Sequence, residues 1–259
     1  MRVAICHRRG RRDYAEIVED SIKDLVEVVS IDDVWSFKEV EVDLYIAVGG
    51  DGTVIRCSKI VLDSAPIVGI KAGRLGFLSS YTIDDLEEFA DDLKRWSFVE
   101  ERRMMIEAVA GGKKELALND VVVQKDVDGR MLEVEVEVNG ESPLWFFSDG
   151  LIVSTPTGST AYNLSAGGPV VYPFSETMQI TPILPHFLFN RGIVVPSNAI
   201  VKITLDTDAN LLVDGKLLGK FRSLEVKRSE KYVRTLRSPK MDFFGVIAER
   251  IGFGRRVLK

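Results

Sequence analysis

The hydrophobic positions along the chain fall into two textures. Val3-Ala4-Ile5 opens on a short unbroken apolar run, which predicts a buried strand over residues 2–6. From Tyr14 the spacing becomes helical: Ala15, Ile17, Val18 and Ile22 share a stripe that continues to Leu25 and Val26. Glu27-Val28-Val29 reads as a second short strand, followed by a mixed link from Ser30 to Glu39. Val42, Leu44, Ile46 and Val48 make a strand, and Val54 to Leu62 returns to a helical pattern. Pro66 to Ile70 is another short apolar strand, and Lys71 to Leu78 is a glycine-punctuated loop. Thr82-Ile83-Asp84-Asp85 has the polar residue and early acids of a helix start. The helix that follows carries Leu86, Phe89, Ala90 and Leu93 and ends near Trp96. Strands alternating with helices over residues 1–97 predict a parallel sheet covered on both faces, a Rossmann-like open α/β sheet.

After Phe98 the pattern shortens to period two. Met104–Ala110, Leu116–Gln124, Leu132–Val138 and Leu144–Phe147 read as strands, with Gly111-Gly112, Asp128-Gly129 and Asn139-Gly140 as hairpin turns. Glu133 to Val138 alternates strictly, so one face is wet and the other buried. Val194-Val195, Ile200–Leu205, Leu211–Val213, Leu224–Val226 and Tyr232–Leu236 continue the pattern. Residues 98–238 are thus expected to form a mostly antiparallel β-sandwich domain. Pro239 then introduces a closing C-terminal helix, Met241 to Ile251, with Phe244, Ile247, Ala248 and Ile251 on one side. The segment 239–259 is expected to rejoin the first domain.

Composition narrows the class. The chain of 259 residues is 46% hydrophobic and 28% charged, which suits a protein with a real core. Its formal charge of −5 offers no basic surface for nucleic acid. The one basic cluster is the tail Gly252 to Lys259, read as a solvated end. No apolar run reaches membrane length and no leader pattern opens the chain, so a cytoplasmic protein is expected. Cys6 and Cys57 make neither a disulfide framework nor a zinc spacing. With His7 and His186 the only histidines, acid–base work falls to carboxylates.

Candidate chemistry starts at Gly49-Gly50-Asp51-Gly52-Thr53, between the strand ending at Val48 and the helix from Val54. Ligands of open α/β sheets bind at the carboxyl ends of strands. Glycines there let a phosphate approach the backbone, and N–H groups at a helix start face anionic oxygens. An aspartate repels phosphate, so Asp51 reads as a base, a magnesium-side carboxylate or a hydroxyl acceptor. Neither the Gly-Lys-Ser/Thr ending of a P-loop nor the last glycine of a dinucleotide fingerprint is present. On this loop alone, a ligand site and a tight turn stand level.

A second stretch, Asp149 to Pro169, is dense in glycine and small hydroxyl residues. Gly158-Ser159-Thr160 resembles a helix start that offers N–H and hydroxyl groups to phosphate or sugar, and Tyr162 is placed to stack on a base. So long a run has little else to do in a compact domain. Asn119-Asp120, between apolar runs, offers an amide and a carboxylate that can bind ribose hydroxyls or an adenine edge. Taken alone, that pair is better explained as a β-bulge or strand-end turn.

Gly49-Gly50-Asp51-Gly52-Thr53, Gly73-Arg74-Leu75-Gly76-Phe77-Leu78, Asn119-Asp120 and Asp149-Gly150 through Thr155-Pro156-Thr157-Gly158-Ser159-Thr160-Ala161-Tyr162 together resemble the NAD kinase family. The glycine–aspartate motif is shared with diacylglycerol and sphingosine kinase relatives and with phosphofructokinase-like folds, whereas the long second motif is much more specific. The resemblance implies that Asp51 accepts the proton of the adenosine-ribose 2′-hydroxyl and that Gly52 lies beside it at the dinucleotide. It implies that Asn119 and Asp120 bind NAD at the adenosine side and that Asp149 contacts the other end. Thr160, Ala161, Tyr162, Asn163, Leu164 and Ser165 match the segment lining adenine and ribose. Arg56 and Arg130 fall where relatives carry basic or polar residues near phosphates. Lys216, after Asp214-Gly215, stands where some members have glutamine. Phe147 stands where many bacterial relatives have a basic residue. His186 is taken as a packed structural histidine.

The activity implied is phosphoryl transfer from ATP, another nucleoside triphosphate or polyphosphate to NAD. Magnesium would be held mainly by the donor rather than by protein ligands. Homodimers or homotetramers are the implied assembly. A lipid or sugar kinase of the same superfamily would instead label a lipid or sugar. A non-catalytic NADP-binding sensor would bind dinucleotide without turnover.

Overall fold

The computed structural model describes residues 1–73 and 76–252. Arg74 and Leu75 of the glycine-punctuated loop, and residues 253–259 of the basic tail, lie outside the described residues. The chain divides into two compact units, Met1–Arg102 with Val233–Lys259, and Arg103–Tyr232. The change of texture suggests boundaries at 97/98 and 238/239; the structure divides the chain inside two long strands, where hydrophobic pattern gives no mark.

The first unit contains β1 (Arg2–His7), α1 (Arg12–Ile22), β2 (Glu27–Asp33), β3 (Leu44–Val48), α2 (Asp51–Ile60), β4 (Ile67–Lys71), β5 (Tyr81–Thr82) and α3 (Leu86–Arg95). The strands pair in parallel in the order β2-β1-β3-β4, with β5 against the end of β4. β1 and β3 are central, so their apolar runs are buried almost without a break. α1 buries Ala15, Val18 and Ile22, and α3 buries Leu86, Phe89 and Leu93, one stripe each at helical spacing. Acidic Glu87 and Glu88 open α3, and basic Lys94 and Arg95 close it, as the helix dipole favours. A capping box between Thr82 and Asp85 sets up its start.

Two boundaries differ from the pattern. α1 stops at Ile22 rather than Val26. β2 extends to Asp33, past its apolar residues, because edge pairing with β1 reaches Asp33 against His7 and leaves the polar side chains partly exposed.

The chain enters the second unit through β6 (Val99–Ala110). There follow β7 (Lys113–Ala117), β8 (Asp120–Gln124), β9 (Leu132–Val138), β10 (Leu144–Ser148), β11 (Gly150–Ser154), a short α4 (Tyr162–Ser165), β12 (Thr177–Ile183), β13 (Ile193–Pro196), β14 (Ile200–Val213) and β15 (Lys216–Arg237). The pairs β6–β7, β8–β11, β8–β14, β9–β10, β9–β14, β11–β12, β12–β13 and β14–β15 are antiparallel. β14 pairs with β15 and also serves two further neighbours: Val201–Leu205 pairs with β9, and Asn210–Val213 pairs with β8. A register shift between Thr204 and Ala209 separates the two stretches. The inward residues of both, with Ile106, Leu151 and Met178, close on one core, the sandwich expected.

The expected strand Leu116–Gln124 is two strands broken at Leu118-Asn119. β14 and β15 each run through segments that read as separate strands, because a bend or bulge interrupts alternation without ending pairing. β12 escapes the pattern, since its buried positions include Gln179 and Thr181.

Val233 to Arg237, the last part of β15, belongs to the first unit, where Thr235 and Leu236 pair in parallel with Ile67 and Val68 of β4. α5 (Phe243–Arg250) follows, its first turn capped by the Asp242 carboxylate accepting from the Gly245 N–H at 2.8 Å. It is shorter than the expected Met241–Ile251 at both ends.

Candidate functional site

In the first unit the chain leaves β1 toward β2 on one side, and β3 lies on the other side of β1. The order therefore reverses between β1 and β3, the place where open α/β sheets hold ligands. Gly49 and Gly50 follow β3 at this edge, and α2 begins at Asp51 itself, three residues before the helical pattern is legible. Arg56 lies in the second turn, its guanidinium carbon 3.4 Å above the ring centre of exposed Trp35. Lys71, at the end of β4, passes its side chain close over Gly50.

The Asp51 carboxylate is fixed by its surroundings. It accepts hydrogen bonds from the N–H of Phe77 at 2.9 Å, the N–H of Leu78 at 3.3 Å and the Ser79 hydroxyl at 3.4 Å. A side chain at Gly76 would collide with that carboxylate, so glycine is required there by close approach. The two glycine-bearing stretches of the first unit, 49–52 and 76–79, are thus joined through Asp51.

The second unit gathers its own set. The Asn119-Asp120 turn joins β7 to β8, and almost every main-chain group in it is gripped. Asp214 accepts from the N–H groups of Leu118, Asn119 and Asp120 at 2.9, 2.8 and 3.1 Å. The Leu118 carbonyl accepts the Thr155 hydroxyl at 2.5 Å, and the Asn119 carbonyl accepts the Thr155 N–H at 2.9 Å and the Ser154 hydroxyl at 3.3 Å. Gly158 packs directly on the Asn119 carbonyl. The structure therefore brings Asn119 and Asp120 together with the hydroxyl-rich segment, although the two lie far apart in sequence.

Two polar atoms in this cluster, Oδ1 of Asn119 and Oγ1 of Thr157, are buried without a hydrogen-bond partner. Leaving such an atom unsatisfied costs about 1–3 kcal/mol, and either an ordered water or a ligand can supply the missing bond.

Gly158–Thr160 forms a single 3₁₀ turn rather than a regular helix start, and α4 adds one turn after it. Ala161 is the junction between them, Thr160 and Leu164 are half-buried, and Tyr162 and Ser165 are exposed. Asn163 is wholly buried; its amide donates to the Pro169 carbonyl at 3.1 Å and accepts the Thr181 hydroxyl at 2.6 Å. Its side chain therefore braces the loop, against which Gly168 is packed too tightly for any Cβ.

The remaining expected residues are placed as follows. Asp149 pairs with Lys125 at 3.2 Å. Arg130 pairs with Asp206 at 2.7 Å, on a side chain 76% exposed. Lys216 pairs with Glu115 at 3.4 Å. Phe147 packs edge-on against Phe187, which gives an aromatic residue a use at that position. His186 is exposed rather than packed: its ring lies edge-on to Phe187, and its main-chain N–H donates to the Phe147 carbonyl. The segment from Leu184 to Phe189 projects outward, and so the histidine never reaches the core.

Among the described residues, no three acidic, histidine or cysteine side chains form a metal cage. No helix among the described residues is long and apolar enough to cross a membrane.

Thr155, Thr157 and Asp214 escape a reading of motifs as ligand contacts. Asp214-Gly215 is legible as a turn, but the backbone it holds lies more than ninety residues earlier.

A family profile described as the ATP-NAD kinase N-terminal domain matches residues 11–97, and one described as the ATP-NAD kinase C-terminal domain matches residues 118–238. The chain is 46% identical over 257 residues to the NAD kinase of Thermotoga maritima, covering 99% of this chain and 100% of that protein. It is 37% identical over 224 residues to the NAD kinase of Nitrosomonas europaea, covering 82% and 76%. Among solved structures, the NAD kinase of Archaeoglobus fulgidus in complex with ATP superposes with a TM-score of 0.79 at 28% identity, over 93% of this chain and 95% of that one. Yeast NADH kinase complexed with NADH shares the fold, with a TM-score of 0.87 at 21% identity over 100% and 90%.

Proposed function

The chain belongs to the ATP-NAD kinase family, and from that premise we propose that it transfers the terminal phosphate of ATP to the 2′-hydroxyl of the adenosine ribose of NAD, giving NADP. The observation that carries this reading is Asp51. It is an acceptor-only carboxylate at the carboxyl edge of a parallel sheet, oriented by three donors, at the start of a helix. Such a group can take the proton of an attacking hydroxyl, and the glycine loop beside it admits phosphate.

In this reading Asn119, Asp120 and Thr157 bind the adenosine half of NAD, and the segment Thr160 to Ser165 lines it. The support is the pair of buried, unpartnered oxygens on Asn119 and Thr157. Gly52, Arg56 and Lys71 face the phosphates, and Asp149 takes the far end of the dinucleotide. Magnesium, carried by the donor phosphates, neutralises charge as the phosphoryl group moves. A cytoplasmic address is supported by Cys6 and Cys57, both buried free thiols. Homo-oligomers are supported by the exposed Leu184, Phe187, Leu188 and Phe189, an apolar cluster of the kind that interfaces cover.

The test is turnover by purified protein with ATP, magnesium and NAD, read by an NADP-specific dehydrogenase. NADP is expected to accumulate. Dinucleotide binding without NADP formation, or label from γ-labelled ATP appearing on a lipid or sugar, overturns the proposal.

A further inference from the structure

We propose that Asp214 is a positioning residue for NAD: its carboxylate holds the Asn119-Asp120 turn in the conformation that presents these side chains to the nucleotide. The inference rests on the reading of Asn119 and Asp120 as NAD-binding residues.

Asp214 and Gly215 are the two central residues of the hairpin between β14 and β15, with Val213 paired to Lys216. Both have left-handed backbone, at φ +47° and +75°. An Asp-Gly pair is favoured in such a turn, but Asn-Gly is favoured at least as strongly. The turn alone therefore does not ask for a carboxylate.

The side chain does. Its two oxygens accept three successive main-chain N–H groups, one oxygen taking Leu118 and the other taking both Asn119 and Asp120. Successive amides converging on one anion form a nest, a geometry otherwise used to hold anionic ligands. Here the anion is internal and welds the hairpin to the break between β7 and β8. In the opposite direction, the Asp214 N–H donates to the Asp120 carbonyl at 3.0 Å. The turn is locked on its other side by Thr155, Ser154 and Gly158. With its main chain held from both sides, the turn keeps the Asn119 amide in one place, where its Oδ1 stays buried and unpaired. An amide at position 214 offers one accepting oxygen, and its NH₂ would face an N–H donor. At least one of the three bonds is lost, and the turn is held less firmly on that side.

Asp214→Asn separates the two roles, since it keeps or improves the hairpin and removes the carboxylate. In full-length enzyme we expect its KM for NAD to rise at least tenfold, with KM for ATP nearly unchanged. Gly215→Ala is the complementary variant: it strains the left-handed turn and leaves the carboxylate. It should lower the melting temperature and move the KM for NAD by less than threefold. An unchanged KM for NAD in Asp214→Asn, a parallel rise in the KM for ATP, or an equal rise in Gly215→Ala overturns the proposal. Failure of the wild-type enzyme to make NADP would instead strike the reading beneath it. In that event calorimetric titration with NAD tests the turn by itself: equal affinity of wild type and Asp214→Asn overturns the proposal.

Discussion

Gly158 lies against the main-chain carbonyl of Asn119 so closely that no side-chain carbon fits between them. The contact clamps the hydroxyl-rich segment onto the turn that carries the amide. Gly158→Ala must push the two apart, and overpacking of this kind costs about 1–3 kcal/mol. The expected result is a lower melting temperature together with a KM for NAD raised severalfold. Thermal melts with and without NAD check it, because the stabilisation given by NAD should shrink along with the intrinsic stability.

Asp51→Asn keeps the shape of the side chain and an oxygen for the Phe77 or Leu78 N–H, so the loop should stay folded. General-base assistance is worth about 10²–10⁴-fold in rate. Turnover should fall within that range while calorimetric affinity for NAD changes little. A variant with full turnover would remove Asp51 from the chemistry.

The two arginines assigned to phosphates by resemblance stand in different surroundings. Arg56 lies on α2 beside the glycine loop, with Trp35 beneath its guanidinium. Arg130 is held on the surface by Asp206. A charge-assisted hydrogen bond contributes about 1.5–3 kcal/mol, whereas an exposed ion pair contributes about 0–1 kcal/mol. Arg56→Ala should raise the KM for ATP roughly tenfold or more by that scale, and Arg130→Ala should leave both KM values within about twofold. Steady-state kinetics with each substrate varied in turn decides it.

The side-chain hydrogen bond from Arg234 holds the Glu100 carboxyl below the ordinary carboxylate range. The pair is bidentate, at 2.7 and 2.9 Å. A pKa depressed by folding contributes stability that is fully present above the unfolded value, about 4.3 for glutamate. That contribution disappears as pH falls through the folded value. Glu100→Gln should therefore unfold at lower urea than wild type at pH 7, and the gap should close as pH falls below the ordinary carboxylate range. Because the carboxylate is nearly half exposed, the gap should also narrow in high salt.

Period and composition made the two layers of the fold readable, because buried parallel strands are apolar throughout and β9 alternates strictly. β12 was not readable: Gln179 and Thr181 are buried in it, and hydrophobicity alone cannot foresee hydrogen bonds that make a buried polar residue tolerable. The same limit divides the candidate site. Asp51 and Asn119 stand out through local motif, glycines in one case and an amide–carboxylate pair in the other. Asp214 acts across a sequence distance that no local pattern spans, and the bonds of the Asn163 amide to Pro169 and Thr181 are likewise invisible in the local sequence.

Thr235 and Leu236 lie beside Ile67 and Val68 on β4. During synthesis, then, the α/β unit emerges first from the ribosome but is the last to be completed. Until the chain beyond Tyr232 has been made, β4 keeps an open flank, which is an invitation to pair with a neighbouring nascent chain. The intervening antiparallel unit, whose contacts are internal to one continuous segment, can form in the meantime. A stop codon placed just after residue 232 would thus harm the part of the molecule farthest from it in sequence.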